Sequence, residues 1–152
     1  MPGERRLRDL AGAGLAGDAA KAFWRAATQR RDTAAYLLAS ESSDKYLDAV
    51  YLGGYAAECA LKSLILKRTP KSKRPAVLEE LTSGARAHNL DVLSGFLRAA
   101  GCSIPRDIRQ YLVSLSEEWR TDLRYVGALI SRKEAEQFLK RVDAVCKWAQ
   151  GS

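Results

Sequence analysis

The chain has 152 residues, of which 47% are hydrophobic and 28% charged, and its formal net charge is +7. This length fits one domain with a sizeable core, and the composition is ordinary for a soluble globular protein. The basic excess is compatible with an acidic partner such as RNA, DNA, a nucleotide or an acidic protein, so it excludes few functions.

Membrane insertion and export are not expected. No stretch approaches the roughly 20 apolar residues that a membrane helix requires. Asp9 and Asp18 interrupt the apolar part that a secretory signal would need, so we expect a cytoplasmic protein.

The residues that usually bind metals are sparse. There is one histidine, His88, so a multi-histidine site within one chain is impossible. The cysteines are odd in number, lie far apart and lack CxxC or zinc-finger spacing; they are Cys59, Cys102 and Cys146. We predict reduced, buried thiols, no metal site and no cofactor.

The N-terminal part of the chain is predicted to differ from the rest. Residues 1–17 are rich in glycine and arginine without sustained periodicity, so we predict a flexible segment followed by one domain over residues 18–150. The first helix should run from Asp18 to about residue 40. The following SESSD segment breaks the helical pattern and offers Ser43 or Asp44 as the N-cap of a second helix.

The second helix, from Tyr46 to Lys67, has the fewest charges per turn and is therefore predicted to be central. Pro70 and Pro75 end its pattern. We predict a basic connection over residues 67–87, with a short helical turn at residues 76–81.

Three further helices complete the prediction. The third is capped by His88 or Asn89, the fourth follows Pro105, and the last begins at Ser131 with capping-box spacing and ends near Ala149. No strand-length alternating run, internal repeat or sustained heptad competes with this pattern. We predict an all-α, up-and-down bundle of about five helices.

One face of the second helix combines aromatic and charged side chains. Residues three and four apart share a helix face. One stripe therefore consists of Tyr51, Tyr55, Glu58 and Lys62. Gly53 and Gly54 lie in the same helix, where each glycine costs about 0.5 to 1 kcal/mol relative to alanine, so a packing or site reason is expected. Two interpretations are open: a solvent-edge ion pair, or a polar floor inside the bundle.

Four segments, in order, resemble a known family: YLGGYAAECALKSLIL, HNLDVL, WRTDLRY and DAVCKWAQ. Over about residues 36–149 the chain is similar to the HEPN domain, the higher eukaryotes and prokaryotes nucleotide-binding domain. The resemblance implies a helical bundle, often dimeric and often encoded beside, or fused to, a small nucleotidyltransferase. It also implies similarity to the substrate-binding half of aminoglycoside nucleotidyltransferases.

Some HEPN proteins are metal-independent ribonucleases that use an arginine, a short polar spacer and a histidine. Arg120 matches that arginine, but Tyr125 stands where the histidine is expected. Neither arginine nor an unperturbed tyrosine exchanges a proton near neutral pH, which acid–base cleavage of a phosphodiester requires. We therefore predict no catalytic residue, and we expect His88 to be a helix cap or a hydrogen-bonded surface residue.

Arg124 and Tyr125 are the best remaining candidates near the motif. A guanidinium can bind phosphate in bidentate fashion, and a phenol adds stacking area and a hydrogen bond. Alternatively, or in addition, Arg124 pairs with Glu58. The predicted ligand-binding residues are Tyr51, Tyr55, Glu58, Lys62, Arg120, Asp122, Arg124 and Tyr125.

The residues and the resemblance together predict a non-catalytic HEPN-type domain. It would bind a nucleotide or similar phosphorylated small molecule, or act as the partner of a nucleotidyltransferase in a toxin–antitoxin-like or resistance-like pair. The alternatives are a metal-independent HEPN ribonuclease toxin with a degenerate Arg/His motif, and a basic RNA-binding module. If the protein is an enzyme, it is an endoribonuclease. We expect a homodimer without membrane contact.

Overall fold

The computed structural model describes residues 3–13, 18–40 and 42–152. Every regular element within these ranges is helical, so the predicted all-α class is confirmed. The α-helices are α1 (Leu7–Ala13), α2 (Ala19–Ala39), α3 (Tyr46–Arg68), α4 (Arg74–Leu81), α5 (Leu90–Ala99), α6 (Arg106–Glu118) and α7 (Arg132–Gly151). The five longest correspond to the five predicted helices.

Helix α3 is the central element, as its low charge predicted. It packs against α2, α4, α5 and α7. Its small residues Ala56, Ala57 and Ala60 and its large residue Leu61 have no exposed surface. The neighbouring helices therefore surround α3 over most of its length, and most of its side chains, including those of Glu58 and Lys62, are buried inside the bundle.

The apolar character of this helix exceeds the sequence expectation. The helical segment Ser43–Arg68 is long and apolar enough to cross a membrane, because its most apolar window has a mean hydropathy of 1.2, so the expectation that no stretch approaches such a span was wrong. However, 78% of the most apolar window is buried inside the protein. Burial against other helices accounts for its composition.

The two adjacent glycines of α3 have a packing reason. A Cβ built at Gly54 would lie closer than 3.0 Å to the indole of Trp119, and one at Gly53 would lie equally close to the side chain of Leu139. Real Cβ atoms do not make such contacts. The absence of two side chains therefore lets the Trp119 indole and helix α7 approach the backbone of α3.

Two predicted helix caps, Asn89 and Ser131, are present, and α2 has a further cap, Asp18, that was not predicted. The side chain of Asp18 accepts a hydrogen bond from the backbone amide of Lys21 at 3.2 Å, and that of Asn89 accepts one from Val92 at 3.0 Å. Ser131 caps α7 through the amide of Glu134 at 3.1 Å. These short polar side chains satisfy amides that the first turn of a helix leaves unpaired.

The predicted cap of α3 was wrong. A 3₁₀ turn, Ser43–Lys45, leads directly into α3, and neither Ser43 nor Asp44 caps it with a side chain. The carboxylate of Asp44 instead accepts a hydrogen bond from Ser42, which lowers the pKa of Asp44. Backbone hydrogen bonds within this 3₁₀ turn occupy amides that precede α3, so no capping side chain is needed there.

Two connecting segments contain more helix than predicted. Helix α4 begins at Arg74, before the predicted turn at residues 76–81, with Pro75 in its first turn where a missing amide has no cost. Helix α1 lies in the segment predicted to be flexible, with an ion pair of 3.2 Å between Arg6 and Asp9. Residues 1–2 and 14–17 lie outside the described residues, so the domain boundary near residue 18 stays a prediction.

Candidate functional site

Glu58 and Lys62 form a buried ion pair at the centre of the bundle. The ammonium Nζ of Lys62 lies 3.1 Å from Oε2 of Glu58, and the two side chains are only 4% and 5% exposed. The interpretation as a solvent-edge ion pair is therefore wrong. Taking two charges out of water is costly, so this pair needs good geometry and further hydrogen bonds to persist.

The second oxygen of Glu58 binds the only histidine of the chain. Oε1 lies 2.9 Å from Nδ1 of His88, which is the last residue of the 3₁₀ turn Ala85–His88 and is separated from α5 by Asn89. Because an ionised carboxylate only accepts, Nδ1 carries the proton in this hydrogen bond. Nε2 has no hydrogen-bond partner among the described residues, and the imidazole is 41% exposed. His88 thus connects a buried carboxylate to the protein surface.

Two tyrosines continue this arrangement along α3. The hydroxyls of Tyr51 and Tyr55 are 3.2 Å apart, and their rings meet edge to face at 5.0 Å between centroids. The ring of Tyr55 also meets Trp119 at 4.9 Å and His88 at 6.4 Å. We call Tyr51, Tyr55, Glu58, Lys62 and His88 the Glu58 cluster.

The electrostatics of Tyr55 follow from this environment. Burial is the main cause that raises the pKa of the Tyr55 phenol, and the hydrogen bond to Tyr51 and the charge of Glu58 raise it further. The positive charge of Arg124 acts in the opposite direction, so Arg124 lies near enough to influence this ring. Tyr55 therefore remains protonated at neutral pH and can donate or accept a hydrogen bond, but it cannot act as a base.

Trp119 was not among the predicted site residues, yet it joins the cluster to the motif segment. Its indole is 2% exposed, and its Nε1 donates a hydrogen bond of 3.0 Å to the backbone carbonyl of Tyr51. The sequence contained one signal for this contact: two unexplained glycines on the same stretch of helix. The partner of Gly54 could not be read from that signal.

The remaining predicted residues lie shortly after Trp119, on an exposed 3₁₀ turn, Thr121–Tyr125, and at the residue that precedes it. They are Arg120, Asp122, Arg124 and Tyr125. The guanidinium carbon of Arg124 lies 4.8 Å from the centroid of the Tyr125 ring, and that ring is 77% exposed. Arg124 makes no ion pair with Glu58, so the alternative that these two residues pair was wrong; the partners of the Glu58 carboxylate are Lys62 and His88.

Thiol and metal chemistry have no support in the described residues. Burial raises the pKa of Cys59 to about 12 and that of Cys146 to about 11, so both thiols are neutral at physiological pH. No group of three His, Cys, Asp or Glu side chains there could hold a metal ion.

A comparison with known protein families identifies the family to which this fold belongs. The family model described as HEPN domain matches residues 20–152. The chain belongs to the HEPN domain family. No curated protein and no solved structure matches the chain. The HEPN match begins in the first turn of α2 and includes α3 to α7, so it contains both the Glu58 cluster and the exposed turn.

Within this HEPN domain, the histidine and the motif arginine come from different elements. Arg120 follows α6 and precedes the exposed turn, and Tyr125 ends that turn. His88 precedes α5 and reaches Glu58 over a separation of 30 residues. A histidine is therefore present at the site, although the sequence motif lacks one.

Proposed function

We propose that this HEPN domain is a non-catalytic module that binds a nucleotide or a similar phosphorylated ligand beside the Glu58 cluster. The proposal rests on the observation that one carboxylate, that of Glu58, hydrogen-bonds two nitrogen atoms. Glu58 accepts hydrogen bonds from both Lys62 and His88, at 3.1 and 2.9 Å. One negative charge is thus shared between a permanent cation and a histidine that can become one.

The balance of charge supports an anionic ligand. Lys62 already supplies the counter-charge of Glu58, so the ion pair leaves no net negative charge that would repel an anion. Arg124 makes no ion pair among the described residues, and its charge acts on Tyr55. A phosphate that contacted both His88 and Arg124 would supply the missing negative charge, and the exposed edges of the neighbouring rings offer stacking area for a base.

Binding to nucleotides tests this proposal. Isothermal titration with ATP, GTP and AMP should give saturable binding to the wild-type protein. Arg124→Met should weaken that binding about tenfold, because a charge-assisted hydrogen bond contributes roughly 1.5–3 kcal/mol. Arg109→Met is the matched control, since Arg109 is an exposed arginine on α6. The proposal fails if both variants bind like the wild type, or if no nucleotide binds at millimolar concentration.

We also propose that a nucleotidyltransferase is the protein partner, in a toxin–antitoxin-like or resistance-like pair. HEPN membership supports this association, and so do the exposed apolar residues Tyr125, Val126 and Leu129 that follow the motif. Large apolar side chains that are exposed so close together in the sequence indicate an interaction site. Co-purification with a nucleotidyltransferase encoded by the adjacent reading frame would support this partner, and loss of the complex in Leu129→Glu would assign the surface. Retention of the complex in that variant would exclude this surface.

A second candidate, metal-independent cleavage of RNA, is favoured by one observation. Glu58 holds Nδ1 of His88 and leaves Nε2 free, which is how a carboxylate orients a histidine for proton transfer. Purified protein should then cleave RNA in the presence of EDTA. His88→Gln would abolish cleavage, and Lys73→Gln, an exposed change elsewhere, would not. Absence of cleavage by the wild-type protein, alone and with its partner, excludes this activity.

A further inference from the structure

A groove on the opposite side of α3 has the composition of a binding site. It has a volume of about 470 Å³ and lies between α2, α3, the start of α4 and the end of α7. Its apolar lining includes Trp24, Leu64 and Ala149. Volumes of 300–1,000 Å³ with an apolar lining and a few convergent polar groups are characteristic of small-molecule sites.

The groove is separate from the Glu58 cluster. The α3 residues that line it are Ala60, Ser63, Leu64 and Lys67. With 100° of rotation per helical residue, these positions lie on the side of α3 opposite the tyrosines and Glu58. A ligand in the groove would therefore not contact the cluster.

Cations dominate the rim of the groove. Lys21, Arg25, Lys67 and Arg74 line it, whereas Asp18 is the one carboxylate among its lining residues. Asp18 already accepts a hydrogen bond from the backbone amide of Lys21, as the cap of α2. The lining thus has a net charge of +3, and its single negative group is committed to a structural role.

Arg74 is the cation placed to bind a ligand. Its Nε donates to the backbone carbonyl of Thr69 at 2.9 Å, and one Nη donates to that of Lys67 at 3.5 Å. These bonds fix a partly buried guanidinium, but they supply no negative charge, and Arg74 makes no ion pair among the described residues. A partly buried cation without a counter-ion is costly. A neighbouring cavity of about 350 Å³ is also lined by Arg74, so its guanidinium lies between two open spaces.

We propose that this groove binds an amphipathic organic anion. A planar aromatic body would lie against Trp24 and the apolar floor, and an attached phosphate, sulfonate or carboxylate group would bind Arg74 and Lys67. Both halves of the ligand are needed, because the floor attracts apolar surface and the rim attracts negative charge. The basic N-terminal residues of the chain are poor occupants, since Arg5, Arg6 and Arg8 would be repelled by the same rim.

Two dyes that differ in one group test the proposal. 8-Anilinonaphthalene-1-sulfonate and N-phenyl-1-naphthylamine share the same aromatic body, but only the first carries a negative charge. Fluorescence titration of the wild-type protein should show one sulfonate site per chain, with the neutral dye bound about tenfold more weakly. Several weak sites, or equal affinity for the two dyes, would overturn the proposal.

Variants locate the site. Trp24→Leu should weaken both dyes about tenfold, and Arg74→Gln should remove the preference for the sulfonate. Lys67→Gln repeats the charge test at an exposed position and remains informative if Arg74→Gln does not fold. Arg109→Gln, at an exposed position outside the groove, should leave both titrations unchanged. An unchanged sulfonate preference in the Lys67 and Arg74 variants, or its loss in Arg109→Gln, would show that the dye binds elsewhere.

Discussion

Removal of the charge of Glu58 should destabilise the fold strongly. In Glu58→Gln, the ammonium of Lys62 remains 4% exposed but loses its carboxylate. Breaking a buried ion pair on one side costs about 3–5 kcal/mol, because an uncompensated charge stays buried. Glutamine keeps the shape of the side chain and one oxygen acceptor, so we expect the lower end, about 3 kcal/mol. A chain of this size loses roughly 2–4 °C in Tm per kcal/mol, which predicts a decrease of roughly 6–12 °C.

The double variant Glu58→Gln/Lys62→Met should recover most of this loss. Methionine approximates the length of the lysine stem and removes the stranded cation. Replacement of both partners of a buried pair by neutral groups of similar volume is often close to neutral. Urea unfolding of the wild type, both single variants and the double variant gives the coupling free energy between the two residues.

An exposed pair provides the matched control. Arg132 and Glu136 are also four residues apart on one helix, at 2.8 Å, but their side chains are 52% and 44% exposed. Glu136→Gln should leave the unfolding midpoint near that of the wild type, because solvent screens an exposed pair. If Glu58→Gln behaves like Glu136→Gln, the buried pair does not contribute to stability as we argue.

Two substitutions in α3 and one thiol-labelling experiment test the packing around this helix. Gly54→Ala should destabilise by about 1–3 kcal/mol because its Cβ overlaps the Trp119 indole, whereas Gly95→Ala, whose Cβ meets nothing within 4 Å, should stabilise slightly in a thermal melt. Leu61→Ala should cost about 2–5 kcal/mol in chemical unfolding, since Leu61 is completely buried; a neutral effect would contradict its place in the core. Cys59 should react slowly with a thiol reagent at pH 8 and faster as the pH rises toward its pKa of about 12; rapid labelling of the folded protein at pH 8 would contradict this.

Local patterns were enough to predict the helices and most of their ends. The caps Asn89 and Ser131 act on amides within three residues, so the sequence contains both partners at a fixed spacing. Likewise, the contact between Glu58 and Lys62 follows from their separation of four residues in a helix. The apolar content of α3 predicted its central place. Hydropathy alone does not distinguish α3 from a membrane helix, whereas its burial in the bundle does.

Contacts between distant segments could not be predicted in the same way. His88 reaches Glu58 across 30 residues, and Trp119 reaches the backbone of Tyr51 across 68. Both contacts depend on how α5 and the end of α6 pack against α3. The expected contact between Arg124 and Glu58 was wrong for the same reason, since a 3₁₀ turn keeps the arginine at the surface.

In the proposed site, Trp119 links the two groups of predicted residues, those on α3 and those around the exposed turn. Its indole fills the space that Gly54 leaves open, hydrogen-bonds the carbonyl of Tyr51 and packs against Tyr55. Its backbone then leads at once into the turn that carries Arg124. The contacts of the indole therefore anchor the start of this turn beside the tyrosines of α3, so the position of Trp119 sets where the exposed guanidinium of Arg124 lies relative to the Glu58 cluster.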